Sequence, residues 1–426
     1  MLTLNFIREN SQFVIERLAI KNFKADEIIN EILDLDKKRR ELQKSHDDLQ
    51  SELNRISKEI GQLFKEGKKQ DAENLKKKTL EIKDDIEKFK DQLKRVEDKL
   101  HQVIVQLPNL PHQSVPAGKD SNDNLIVRSG GNIHPLISNN SLPHWELAKK
   151  YNIIDFELGT KLTGSGFPVF VGKGALLQRA LINFFLEENI KAGYTEYLPP
   201  LMVNEDSAFG TGQLPDKEGQ MYYVPSDNFY LIPTAEVPVT NIYRDVILEE
   251  KDLPIKMTAY TPCFRREAGS YGKDVRGLNR VHQFDKVEIV RIEHPEKSYE
   301  ALEEMVNHVE SLIKKLELPY RIVLLCGGDM SFTSAKTYDF EVYSAAQQKW
   351  LEVSSVSNFE SFQANRLKLR FREEKTKKVQ LAHTLNGSSL ALPRIVAALL
   401  ENNQTKDGIV LPDCLVKYTG FKILSA

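Results

Sequence analysis

Three short stretches carry the residues that could do chemistry. The first, 261-TPCFRREAGS-270, ends a strand-forming run in Arg265, Arg266 and Glu267, then breaks into glycine and serine. Alternation predicts Arg265 and Glu267 on one face, with Phe264 and Arg266 on the other. The second, 281-VHQFDKVEIVRI-292, places Phe284, Lys286 and Glu288 on one face and Asp285, Val287 and Ile289 on the opposite one. Paired as a hairpin, these runs would crowd a guanidinium, an aromatic ring and two carboxylates onto one surface. Such a set suits a purine base, a phosphate and an amino group; the bland alternative is a salt-bridged sheet surface. The loop between them, 268-AGSYGKDVRGLNR-280, is basic and mobile in composition. In the third stretch, 383-HTLNGSSLALPRIVAALLENNQ-404, a Gly/Ser turn is expected to lead to a strand end, with Pro393 opening a helix. Arg394 then falls in the first helical turn, where the dipole disfavours a cation. A partner anion would offset that, whereas a surface arginine would need none.

Familiar cofactor signatures are missing. GSGFPVFVGKG resembles a phosphate loop, but five residues separate Gly166 from Gly172, and Gly174 stands where a hydroxyl should follow the lysine. A strand-to-helix glycine turn is the better reading. No dinucleotide fingerprint, GxSxG, HExxH or Cys/His cluster occurs. The three cysteines, Cys263, Cys326 and Cys414, lie far apart, so neither a disulfide framework nor zinc is expected, which suits a reducing cytoplasm. No signal peptide and no membrane span are expected, since no apolar run approaches membrane length. With 426 residues and a formal net charge of −2, the chain can build two or three domains, and a nucleic-acid partner must be met by a local basic patch.

The elements that must position these residues divide the chain. Ile28, Ile32, Leu35, Leu42, Leu49, Leu53, Ile56, Ile60 and Leu63 step by three and four, with Arg39 and His46 in the gaps. A second heptad seam runs through Leu75, Ile82, Ile86, Phe89, Leu93, Val96, Leu100 and Val103, with Thr79 in register. The turn 64-FKEGKKQD-71 joins them, which predicts an antiparallel helical hairpin whose first seam spans roughly 50 Å and projects from the body. Residues 1–106 therefore read as one domain, with the hairpin at about 27–103. Residues 107–135, opening with the Pro- and Asn-rich LPNLPHQSVPAGKDSNDN, read as a linker, and 136–426 as a second domain. There, strands are expected at 167–171, 194–198, 229–232, 257–264, 284–292 and 320–326. Helices are expected from about 174 and at 297–316 and 393–402. This spacing predicts an α+β fold, an antiparallel sheet flanked by helices.

Taken together, these pieces resemble the seryl-tRNA synthetase family of class II aminoacyl-tRNA synthetases over nearly the whole chain. GYTEYLPPLMVN, with Pro200, resembles motif 1, CFRREAGSYGKDVRGLNRVHQFDKVE resembles motif 2, and NGSSLALPR resembles motif 3. 211-TGQLP-215, 234-TAE-236 and 352-EVSSVSN-358 look like this family and not its class II cousins, and the hairpin resembles its tRNA-binding arm. Motif 3 departs in Ser389, where Gly or Ala is usual, and in Pro393, where Gly is common.

The resemblance implies an ATP-dependent serine–tRNA ligase that makes seryl-adenylate and charges tRNA(Ser), with tRNA(Sec) as a further acceptor. It implies Arg265, Glu267 and Arg394 as catalytic residues. Arg265, Arg266, Glu267, Val281, Phe284, Glu352, Val353, Ser354, Ser355 and Arg394 would bind ATP. Thr234, Ala235, Glu236, Arg265, Glu288 and Ser388 would bind L-serine. Mg²⁺ with ATP would be held by Glu352 and Ser355, with no zinc. A cytoplasmic homodimer with no membrane contact is expected. The basic runs KKRR (37–40), KEGKKQ (65–70) and KKK (76–78) could meet tRNA phosphates or simply coat a solvated coiled coil. Two other classes remain: a class II-type ligase loading a carrier protein, which the long arm argues against, and a non-enzymatic coiled-coil or RNA-binding scaffold, which intact Arg265, Glu267, Glu288 and Arg394 argue against.

Overall fold

A computed structural model describes residues 1–131, 141–216, 218–267 and 276–425. Most of the basic loop, 268–275, lies outside the described residues. The chain forms two compact units, Met1–Ala19 with Phe23–Pro108, and Ile20–Asn22 with Asn109–Ala426.

The first unit is helical. Short helices α1 (Leu4–Glu9) and α2 (Ser11–Ile20) precede α3 (Asp26–Lys65) and α4 (Lys69–Ile104). At 40 residues, α3 is about 60 Å long. The bridges Lys78–Glu52 and Lys99–Glu31 fix its pairing with α4 as antiparallel. Gly67, at φ +76°, makes the turn. Ile56, Ile82 and Ile86 pack between the helices with Leu49, Leu53, Ile60 and Leu75, as the heptads require. Near the start of α3 the pattern shifts. Ile29 is buried, and Asp36 occupies an inward position one residue after Leu35. Arg8, Arg39 and Arg40 surround its carboxylate at 3.0–3.1 Å. Half of the KKRR run therefore neutralises this buried anion.

The second unit is built on an eight-stranded sheet. In chain order its strands are β1 (Leu125–Gly130), β2 (Thr195–Glu196), β3 (Ile255–Phe264), β4 (Gln283–Glu293), β5 (Tyr320–Leu324), β6 (Lys336–Ser344), β7 (Lys349–Asn358) and β8 (His383–Ala391). Their spatial order is β1-β5-β6-β7-β8-β4-β3-β2, antiparallel except for the β2–β3 pair. Helices α5 (His144–Lys150), α6 (Phe156–Leu162), α7 (Lys173–Lys191), α8 (Glu205–Thr211), α9 (Glu236–Asn241), α10 (Ser298–Lys315), α11 (Ser361–Leu367) and α12 (Leu392–Asn402) complete the layers used below.

Strand β4 shows how the sheet divides its faces. Val287 and Ile289 enter the main core with Phe185 of α7, Met305 of α10 and Leu399 of α12. Val290 and Ile292 point the other way, into a smaller core with Ala235, Leu367 and Phe371. The even-numbered face of β4 continues through Glu288, Lys286 and Phe284, beyond the cover of that smaller core. Period-two alternation thus places charged side chains on a part of the sheet that lines an open cleft.

Two readings change. The stretch around 383–391 was expected to hold a Gly/Ser turn, but it is a continuous central strand. Gly387 is needed there because a Cβ would approach Val356 Cγ2 at 2.9 Å. The range read from composition as a linker contains edge strand β1, whose Leu125, Ile126 and Val127 are exposed and show no alternation. Asn109, in the same range, is buried and donates to the carbonyls of Thr333 and Phe359 at 2.9 and 2.8 Å.

Candidate active site

The open part of the sheet lines a cleft of about 560 Å³. Arg265 follows the last residue of β3, where its N–H donates to the His282 carbonyl at 2.9 Å. Its guanidinium lies 5.2 Å from the Phe284 ring centroid, and among the described residues it has no carboxylate partner. Glu267 sits at φ +49°, a conformation that costs a non-glycine residue energy, and is bridged to Arg280 at 2.9 Å. β4 supplies Phe284 and Glu288 to the same cleft, and α12 supplies Arg394. Arg265, Glu288 and Arg394 therefore converge on one concave surface.

At one end of the cleft lie four buried polar residues, Thr234, Glu236, Lys286 and Glu288. Thr234 Oγ1 donates to Glu288 Oε2 at 3.2 Å and accepts the Glu236 N–H at 3.2 Å, so it ties the first residue of α9 to an acid, one position before the N-cap Ala235. Lys286 Nζ pairs with Glu288 Oε2 at 2.6 Å. Gln363 Nε2 donates to Glu236 Oε1 at 2.6 Å. Burial, then the charge of Glu288, pushes the Glu236 carboxyl up to about 7, against the Gln363 hydrogen bond. Ser388 Oγ lies 3.5 Å from Glu288. The result is a small polar chamber with two acids, of which Glu236 holds its proton unusually tightly.

The other end is ordered by Arg394. Its Nε donates to the Asn279 carbonyl at 3.0 Å and its Nη1 to the Glu352 carbonyl at 2.6 Å, with the Glu352 carboxylate 3.7 Å away. Behind Glu352, strand pairing places Asp339 opposite Ser355. Asp339 Oδ1 is closed to solvent and has no hydrogen-bond partner. Burial, then the charge of Glu352, holds this carboxyl well above the usual carboxylate range. An orphaned acid oxygen beside a second carboxylate and a hydroxyl is an oxygen-rich donor set that fits a hard divalent cation, which needs only one or two carboxylates. Among the described residues no group of three or more His, Cys, Asp or Glu side chains could hold a metal ion.

Of the other residues singled out from sequence, Val281, Val353, Ser354 and Ser355 line the cleft. Arg266 is exposed and does not, and its N–H donates to the Gln220 carbonyl at 3.0 Å. Ala235 is fully buried in the smaller core and does not line the cleft. The GSGFPVFVGKG stretch is a glycine turn into α7, and Lys173 donates to the Ser425 carbonyl at 2.9 Å. Sequence reasoning missed Lys286 and Gln363 as site residues. Lys286 was legible as a same-face neighbour of Glu288, whereas nothing local marks Gln363, which arrives from 127 positions beyond Glu236.

Known proteins share this architecture. Residues 222–403 match the family model for the tRNA synthetase class II core domain (G, H, P, S and T), and residues 1–111 that for the seryl-tRNA synthetase N-terminal domain. The chain is 59% identical over 326 residues to a serine–tRNA ligase of Salinibacter ruber, covering 76% of each chain. It is 50% identical over 425 residues to that of Halothermothrix orenii, covering 100% of each. The crystal structure of seryl-tRNA synthetase from Pyrococcus horikoshii complexed with ATP superposes with a TM-score of 0.92 at 36% identity, over 100% of this chain and 99% of that one.

Proposed function

Because this chain belongs to the seryl-tRNA synthetase family and is an ATP-dependent serine–tRNA ligase, we propose that the cleft joins serine to tRNA in two steps. In the first, a carboxylate oxygen of serine attacks the α-phosphorus of ATP. The bond to the β-phosphate oxygen breaks, and pyrophosphate leaves with the electron pair. In the second, a hydroxyl of the tRNA 3′-terminal adenosine attacks the seryl carbonyl and AMP departs. tRNA(Ser) is the acceptor, with tRNA(Sec) as a second substrate.

Phosphoryl transfer needs alignment and charge stabilisation more than covalent help. Arg265, with no carboxylate partner among the described residues, bridges the serine carboxylate and the α-phosphate. Its planar fork can bind both, which lysine cannot do. Phe284 stacks on adenine beside Val281, Arg394 holds the γ-phosphate, and Glu267 orders nucleotide groups near Arg265. Glu352 and Ser355, with Asp339 behind them, would hold Mg²⁺, which would neutralise charge on the triphosphate. In the polar chamber, Glu236 and Glu288 take the ammonium and hydroxyl of serine. A chamber that hydrogen-bonds the hydroxyl rejects alanine by roughly 10⁴-fold, because its buried partners would be left unpaired.

Residues 1–106 form the tRNA-binding domain and 136–426 the catalytic domain of a homodimer. On the hairpin, lysines such as Lys37, Lys38, Lys65 and Lys77 meet tRNA phosphates by shape-based contact, while Arg39 and Arg40 serve Asp36. The observation that carries this reading is the convergence of Arg265, Glu288 and Arg394 on one cleft. Serine-dependent exchange of labelled pyrophosphate into ATP, followed by charging of tRNA(Ser), tests it. Exchange without charging would favour a carrier-loading ligase, and no exchange a scaffold.

A further inference from the structure

A chain of buried polar side chains runs behind the cleft, outside the residues assigned to substrate. His144, at the start of α5, is fully buried, and so is Glu401 near the end of α12. Their side chains meet at 2.7 Å between Nδ1 and Oε1. The other imidazole nitrogen, Nε2, accepts the backbone N–H of Leu278 at 2.8 Å. A backbone amide can only donate, so Nε2 carries a lone pair and the ring proton sits on Nδ1, facing Glu401. Ser344, at the end of β6, donates to Glu401 Oε2. Gln347 Nε2 reaches Ser344 Oγ at 2.9 Å, Glu401 Oε1 at 3.1 Å and Asn279 Oδ1 at 3.3 Å, and Asn279 Nδ2 donates back to Gln347 Oε1 at 2.9 Å.

The network reaches the main chain at Leu278 and Asn279, beside Arg276 and Gly277. Arg276 lies over the Trp145 ring at 4.6 Å. Gly277, at φ +67°, faces the imidazole so closely that a Cβ would stand 2.2 Å from His144 Nε2. Leu278 is tied through its N–H and Asn279 through its side chain. The backbone carbonyl of Asn279 is in turn the acceptor of Arg394 Nε at 3.0 Å. A buried carboxylate costs more to maintain than an apolar side chain of similar size, so a satisfied network at this depth is weak evidence for stability alone. Its polar contacts lead to one of the two carbonyls, those of Asn279 and Glu352, that hold the Arg394 guanidinium.

We propose that the His144–Glu401–Ser344–Gln347–Asn279 network is a positioning device for Arg394, holding its guanidinium toward the terminal phosphates of ATP and of pyrophosphate. This rests on the reading of Arg394 as the γ-phosphate ligand. Gln347 and His144 touch no substrate and act through the Asn279 carbonyl.

The test is pyrophosphate exchange by the full-length protein carrying Gln347→Leu, His144→Ala, His144→Gln or Arg394→Ala. Loss of one or two buried hydrogen bonds in the clamp should raise KM for ATP and for pyrophosphate about fivefold to tenfold. KM for serine and inhibition by AMP, which lacks the terminal phosphates, should stay within about twofold. His144→Gln, whose amide oxygen can accept the Leu278 N–H, should recover part of the loss seen with alanine. Adding Gln347→Leu to Arg394→Ala should bring no further loss, because the two act through one contact. Folded Gln347→Leu and His144→Ala proteins with unchanged KM for ATP and pyrophosphate, beside an impaired Arg394→Ala protein, would overturn the network alone. Equal shifts in the serine and AMP constants would also overturn it, by showing general damage. An unimpaired Arg394→Ala protein would remove the phosphate role of Arg394 and the network's role with it.

Discussion

Replacing Glu236 by Gln keeps the side chain's size and removes its titration, and the consequence can be worked out from the chamber. Burial and the neighbouring Glu288 move the Glu236 carboxyl from 4.5 to about 7, which corresponds to about 3 kcal/mol against its ionised form. Below about 7 the free enzyme therefore holds a neutral acid there, unable to pair with an ammonium. With ATP saturating, kcat/KM for serine in pyrophosphate exchange should fall about tenfold from about pH 8 to about pH 6, tracking the ionised fraction. Folded stability runs the opposite way. The folded carboxyl binds its proton more tightly than the unfolded one, so its contribution is full below about 4.5 and is lost as pH rises through about 7. Glu236→Gln should lower kcat/KM and flatten the profile across this window. A flat wild-type profile, or an inflection that survives in the Gln protein, would refute the reasoning.

Arg265→Ala should abolish adenylate formation, because the developing phosphate charge loses its partner, and near-normal exchange would exclude this role. Deleting residues 30–100 should spare exchange and cripple charging of tRNA(Ser), whereas loss of both would mean the hairpin also supports the catalytic unit. Glu352→Ala should raise the Mg²⁺ concentration needed for half-maximal exchange and weaken Mn²⁺ binding measured by electron paramagnetic resonance in the presence of ATP. Phe340→Ala, which truncates a fully buried ring in the main core, should cost about 3–5 kcal/mol in urea unfolding.

Local patterns carried a large share of this fold. Heptads from Leu42 to Leu63 and from Leu75 to Val103 specify two helices, and Gly67 specifies the turn, because each signal is complete within a few residues. The alternation of β4 likewise announces Phe284, Lys286 and Glu288 as one face. The burial of Asp36 was not legible in this way, since it depends on Arg8 arriving from a separate helix. Nor was β8, whose Gly and Ser residues mimic a turn until a neighbouring strand leaves Gly387 no room for a Cβ.

The sequence by itself determined the helical hairpin, the antiparallel class of the sheet and which charged residues stand on its open face, since these follow from periods of 3.5 and two. Tertiary structure alone decided which acids are buried together and what steadies them. Glu236 owes its proton affinity to burial and to the charge of Glu288, against the hydrogen bond from Gln363, and His144 meets Glu401 across 257 positions. Desolvation and hydrogen-bond pairing are properties of neighbours in space, and a linear chain does not state who those neighbours are.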